Sequence, residues 1–167
     1  MMKTAARGIA LIKAKELFRA KAYICPAGKF TIGYGHVILH GEEHLTHTVL
    51  TEPEAAALLA KDLVWYEKAV NAAVKVPLTQ NQFDACVTMC FNIGTTGFST
   101  SNLVKQINAK ASEAVIRPYW LVWNKMDGTH NHKDDDGDGL VDEPGEKQVA
   151  AGLAARRLEE VNLFFTK

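Results

Sequence analysis

The sequence predicts an α+β fold, mostly helical, and three stretches carry that prediction. Ala5, Ile9, Ile12 and Glu16 are spaced four, three and four apart, which places them on one face of a helix. Phe30, Ile32 and Tyr34 alternate with Thr31, Gly33 and Gly35, the pattern of a strand with two unlike faces. Thr51-Glu52-Pro53-Glu54 is a capping box with Pro in the first helical turn, so a helix starts there. Its stripe of Leu59, Leu63, Tyr66, Val70 and Ala73 runs on until Pro77 stops it. A chain of 167 residues makes one domain. We expect a small β-hairpin lobe over about 17–50 and a helical lobe over about 76–167, joined by the long helix.

Taken in order, the first helix covers about 4–16 and delivers Glu16 at the end of its apolar stripe. Burial there would disfavour the charged form of the carboxyl, which suits a general acid working near neutral pH. Cys25-Pro26-Ala27-Gly28 reads as a turn, with Pro at its second position and Gly at its fourth. In the strand that follows, the bulky face serves a core. The other face carries the Thr31 hydroxyl between glycines and leaves room for a ligand. Residues 22–48 form the β region, with a further turn at Gly41-Glu42-Glu43. After the long helix comes one over 79–92, with Phe83, Cys86, Val87 and Cys90 facing inwards. Gly94 and Gly97 break the chain before a helix at about 100–108. Another at about 112–124 carries Trp120 and Trp123, and the last spans about 146–163 with Val149, Leu153 and Leu158 among its apolar residues.

Hydrophobic residues make up 47% of the chain, enough for a real core, which excludes global disorder. The formal net charge is zero but uneven: residues 133–146 hold seven of the 19 acids and one of the 19 bases. The remainder carries 18 bases and 12 acids, and a basic body favours anionic polymers such as cell-wall material. Three cysteines, Cys25, Cys86 and Cys90, form no metal-site or disulfide pattern, which fits a reducing cytoplasm. The apolar run near the N-terminus is interrupted by Arg7 and Lys13, too short for a membrane span and without a cleavage pattern.

Glu16, Cys25 and Thr31 stand at the spacing Glu, eight residues, Asp or Cys, five residues, Thr. With A-Y-I-C-P-A-G-K-F-T-I-G-Y-G-H around them, this resembles the phage-type lysozymes of glycoside hydrolase family 24, in their endolysin branch. The resemblance continues in L-T-Q-N-Q-F-D-A (78–85), F-N-I-G (91–94), G-F-S-T-S-N-L (97–103) and G-L-A-A-R-R (152–157). It implies a lysozyme-like fold and a muramidase that cuts the β-1,4 bond between N-acetylmuramic acid and N-acetylglucosamine. One departure is Leu17, where many relatives have Gly; a local change of packing is expected there.

The resemblance makes Glu16 the general acid and places Thr31 where its hydroxyl can orient a water. Cys25 stands where relatives often carry Asp, and a thiol is a poor stand-in for a carboxylate at neutral pH. It either helps place the water with Thr31 or simply tolerates the site. The usual pair of carboxylates is thus one short, and the family analogy favours a single displacement with inversion. Phe91 and Asn92 fall where the resemblance puts glycan contacts, the amide being suited to an N-acetyl group. Of Arg156 and Arg157, one is expected to support structure and the other to face glycan or solvent. Tyr34-Gly35-His36 matches the family as well, and the resemblance implies a structural His36. A thiol-protease reading of Cys25 and His36 is weaker, since no such signature surrounds either.

The second signal is D-D-D-G-D-G-L-V-D-E (134–143), inside an insertion of about 129–148 relative to short relatives. Asp134, Asp136 and Asp138 occupy positions one, three and five of an EF-hand-like loop, with Gly139 at six and the Leu140 carbonyl at seven. Position twelve is Gly145, so Glu143 closes the loop, or else Asp142 or Glu146. The expected cation is calcium; the oxygen-rich spacing outweighs a zinc reading on His130 and His132. No cofactor is expected for catalysis. The expected partner is peptidoglycan, met by a monomer that binds no nucleic acid and does not insert stably into a membrane. The chain is expected in the host cytoplasm until a membrane lesion releases it to the envelope. Two other functions compete: a lytic transglycosylase, and a calcium-dependent wall-binding module without catalysis.

Overall fold

The computed structural model describes residues 1–25, 28–127 and 147–167. The chain runs α1 (Ala6–Glu16), β1 (Arg19–Ile24), β2 (Phe30–Gly33), β3 (His36–Val37), a short 3-10 helix (Glu43–His47), α2 (Glu52–Ala73) and α3 (Gln80–Ile93). It continues with α4 (Thr95–Thr100), α5 (Asn102–Asn108), α6 (Glu113–Leu121), β4 (Lys125–Asp127), β5 (Lys147–Val149) and α7 (Ala151–Phe165). The fold is α+β and mostly helical, as expected. Among the described residues no helix is long and apolar enough to cross a membrane.

Local signals formed the elements they announced. The capping box of α2 is closed, with the Thr51 N–H donating to Glu54 Oε2 at 2.7 Å and the Glu54 N–H to Thr51 Oγ1 at 3.5 Å. Thr79 and Gln82 repeat the device at the start of α3. In α3, Phe83 to Cys90 are all buried, so this helix is core on every side, beyond the single inward face the sequence shows. Burial pushes the Cys90 thiol up to about 12 and raises Cys86 as well, which marks both as core residues.

Three expectations need correction, and one helix was not expected. The helix expected at about 100–108 is α5, which starts on Ser101, whose hydroxyl accepts from the Val104 N–H at 3.1 Å; the sequence did not announce α4 before it. Gly94 does break the chain, at φ +82°, but Gly97 lies inside α4. Helix α6 ends at Leu121, leaving Trp123 beyond it. The last helix begins at Ala151, because Lys147–Val149 pairs with Lys125–Asp127; Val149 and Leu158 are exposed.

The first sheet is antiparallel in the order β1-β2-β3, pairing Tyr23 with Thr31 and Ile32 with His36. Ile32 and Tyr34 are buried as expected, whereas Phe30 is half exposed. The face meant to stay open is also covered: Thr31 is 3% exposed, and a Cβ on Gly33 would meet Ala55 of α2 at 3.2 Å.

Leu17 ends α1 at φ 57°, ψ 144°, a backbone region nearly reserved for glycine, with its side chain exposed. The departure from the family pattern therefore acts through the backbone, not through packing. Relief of strain outweighs the extra chain entropy of glycine. Leu17→Gly is expected to stabilise the protein by about 1 kcal/mol, read as an upward shift of the urea midpoint at unchanged slope.

Candidate active site

Helix α1 carries Glu16, and its opposite end is held from outside. Ala5 offers no side-chain cap, and the N–H groups that lead into the helix find acceptors on other elements. The Thr4 N–H donates to Glu67 Oε1 of α2 at 2.8 Å, and the Ala5 N–H to Asp84 Oδ1 of α3 at 3.0 Å. Carboxylates at a helix N-terminus also suit its dipole. Gly8 permits the approach, since a Cβ there would lie 2.8 Å from Asp84 Cβ. These contacts fix where α1 ends.

At that end the Glu16 side chain keeps 23% of its surface exposed, so it stands at a cleft edge and is not buried as its stripe suggested. Its Oε1 accepts from Arg156 Nη1 at 2.7 Å. Its Oε2 points at Gly35, where a Cβ would lie 3.5 Å away. Gly35, at φ +87°, lets the backbone pass here. With Oε1 occupied as an acceptor, a proton on this carboxyl belongs on Oε2.

Neither arginine of the 152–157 motif faces solvent. Arg156 is tied by Nε to Glu160 Oε1 at 3.1 Å, and Arg157 Nη2 donates to the same oxygen at 2.7 Å. Trp120 Nε1 donates to Glu160 Oε2 at 3.1 Å. Arg157 and Glu160 are both fully buried. Glu16, Arg156, Glu160 and Arg157 thus form a chain of alternating charge. Burial pushes the Glu160 carboxyl up, while the guanidiniums of Arg157 and Arg156 pull it back. Sequence reasoning missed Glu160. Its position three and four residues after the arginines on one helix was the available signal.

Cys25 is half-buried just beyond β1; its N–H donates to the Lys29 carbonyl at 2.9 Å. The Gly28 N–H donates to the Cys25 carbonyl at 2.8 Å, the bond of the expected turn. With Tyr23 opposite Thr31, this register puts Cys25 and Thr31 on the same face of the hairpin. The Thr31 hydroxyl donates to the Lys29 carbonyl at 3.2 Å, which leaves its lone pairs to accept from a water. Phe91 lines a cavity of about 490 Å³ that begins at Gly35, and its ring lies 4.8 Å from that of Tyr66. Asn92 is exposed and lines a different cavity, with Trp123, Lys125 and Leu153. Asp134, Asp136, Asp138, Leu140 and Glu143, with Asp142, Glu146, His130 and His132, lie outside the described residues.

His36 is buried between two acids, with Nδ1 at 3.0 Å from both Asp62 oxygens and Nε2 at 3.0 Å from Glu42 Oε2. Both ring nitrogens face acceptors, so the imidazolium is the form that fits. Asp62 raises its pKa most, against the opposing effect of burial, with Glu42 adding to the rise. This clamp joins β3 to α2. Its stabilisation is complete below the unfolded His value of about 6.5 and is lost as pH rises through the raised folded value. Denaturation midpoints should therefore fall across that window, and His36→Asn should remove this contribution.

A family model described as phage lysozyme matches residues 13–160. The endolysin of Salmonella phage P22 is 37% identical over 126 residues, covering 75% of this chain and 86% of that one. The endolysin of Bacillus phage PZA is 34% identical over 165 residues, covering 98% of this chain and 55% of that one. Among solved structures, the muramidase domain of SpmX from Asticaccaulis excentricus superposes with a TM-score of 0.82 at 33% identity, covering 100% of both chains.

Proposed function

The chain belongs to the phage lysozyme family, and from that premise we propose that it is an endolysin muramidase with Glu16 as general acid. It is a glycoside hydrolase of the lysozyme type, acting on peptidoglycan. In our reading it cuts the β-1,4 bond between N-acetylmuramic acid and N-acetylglucosamine. One observation carries the assignment: Glu16 turns its Oε2 toward Gly35 at the cleft edge while Arg156 holds Oε1. As the sugar–oxygen bond breaks, Oε2 gives its proton to the leaving oxygen, and Arg156 sits beside the carboxylate that results. A water that donates a hydrogen bond to Thr31 Oγ1, on the hairpin face shared with Cys25, attacks the anomeric carbon from the opposite side with inversion. The proton it sheds passes to solvent, from which Glu16 is reprotonated for the next turnover. Phe91 and Asn92 contact the glycan from separate cavities. A turbidity assay on purified cell walls tests the reading: clearing is expected, and intact walls would reject it.

Peptidoglycan lies outside the cytoplasmic membrane, and we propose that the chain reaches it through a membrane lesion. We also propose that Asp134, Asp136, Asp138, the Leu140 carbonyl and Glu143 hold calcium, a reading supported by loop spacing. Lacking the position-twelve Glu, the loop belongs at the weak end of calcium affinities. A ligand at about a hundred times its dissociation constant stabilises a fold by about 2.7 kcal/mol. Millimolar calcium should therefore raise Tm by several degrees, and Asp134→Ala with Asp138→Ala should remove the shift. Equal melting curves for metal-free protein with calcium and with chelator would reject it.

A further inference from the structure

The cavity that begins at Gly35 has a wall the catalytic reading does not use. Its floor is the stacked pair Tyr66 and Phe91, both partly buried against the core. Its rim is made of Leu39, 61% exposed, and Trp65, 67% exposed, with Val37 between rim and floor. Trp65 is not a core residue that strayed. It lies on α2 one position from Val64 and Tyr66, outside the inward stripe of Leu59, Leu63 and Val70. Its ring borders the 490 Å³ cavity and also a shallower recess of about 300 Å³ beside Lys68, Ala69 and Thr95. A large indole standing between two open recesses, next to further exposed apolar surface, marks a place where something binds.

We propose that Trp65 is a sugar platform: the apolar face of one N-acetylhexosamine ring of the glycan strand lies on its indole, across the cavity from Leu39. The proposal rests on the muramidase reading above, because that reading supplies the occupant. The cavity adjoins the proposed catalytic acid, since Gly35 lines it and also faces Glu16 Oε2. A strand held at Glu16 therefore runs into it. The lining suits such a ring: Val37, Leu39, Trp65, Tyr66 and Phe91 offer apolar surface, Lys61 and Asp62 offer polar groups, and 490 Å³ leaves room for a sugar unit. Leu39 follows β3 and Trp65 belongs to α2, so a bound ring touches the sheet region and the long helix together. Trp65 is then a specificity-determining residue that binds substrate away from the reacting bond.

The test uses purified peptidoglycan sacculi and full-length Glu16→Gln protein, which binds without consuming the probe. Trp65→Ala in that background should weaken co-sedimentation by about three- to tenfold, and Trp65→Phe, which keeps a flat ring, should stay within about twofold of the parent. With Glu16 intact, Trp65→Ala should raise KM for wall hydrolysis with little change in kcat. Melting midpoints should match, since the side chain is mostly exposed. Identical isotherms for Trp65→Ala and its parent would overturn the proposal, as would equal losses from Ala and Phe. A Glu16→Gln protein that still lyses walls would instead sink the general-acid assignment and leave the Trp65 isotherms standing.

Discussion

Glu16→Gln should leave a folded protein that lyses cell walls about 10²–10⁴-fold more slowly. The substitution is nearly isosteric, and the amide oxygen can still accept from Arg156 Nη1, so the end of α1 stays in place. What disappears is the proton on the oxygen facing Gly35. An amide cannot donate it to a leaving alkoxide, and among the described residues no other carboxyl takes up that place beside Gly35. Lysis rates from turbidity, normalised to folded protein by circular dichroism, measure the effect. A folded variant that keeps more than a few per cent of the parental rate would show that Glu16 is not the acid.

Glu160→Gln should cost as much stability as truncating a large core side chain. Glu160 is fully buried and answers two guanidiniums, one of them equally buried. Arginine does not lose its proton in a protein, so removing the carboxylate leaves Arg157 charged in the interior. Breaking a buried pair from one side costs about 3–5 kcal/mol, which in a domain of this size lowers Tm by roughly 8 °C or more. Arg156 would also lose the contact that aims it at Glu16, so activity per folded molecule should fall with stability. Thermal melts and urea titrations read the first effect and lysis at low temperature reads the second. A variant melting with the parent would show that the ion chain contributes nothing.

The parts of this fold legible in the sequence are those with local causes. The stripe that ends at Glu16 spans about three helical turns and the Thr51–Glu54 box about one, and α1 and α2 formed where they predict. Ser101 was also a local signal, the cap on which α5 starts, but α4 before it went unannounced because Gly94 and Gly97 read as chain breaks. Strands β4 and β5 pair across residues 128–146, and no local pattern announces a partner so far away. The same holds for the site. Spacing singled out Glu16, Cys25 and Thr31, but Arg156 reaches Glu16 across 140 positions. The acceptors Asp84 and Glu67, which cap α1 from other helices, are equally remote in sequence. Burial misled twice. Glu16 ends an apolar stripe and yet stands at a cleft edge, and Thr31 sits between glycines and yet is covered.

Product analysis tests the central claim most directly. Purified peptidoglycan digested in water enriched in heavy oxygen should release muropeptides with reducing N-acetylmuramic acid ends, each carrying one labelled oxygen at the anomeric carbon. That mass shift requires a water to attack the bond whose leaving oxygen Glu16 protonates. Muropeptides ending in unlabelled 1,6-anhydro-N-acetylmuramic acid would mean that the sugar's own hydroxyl did the work, and would contradict a hydrolytic role for Thr31 and its water.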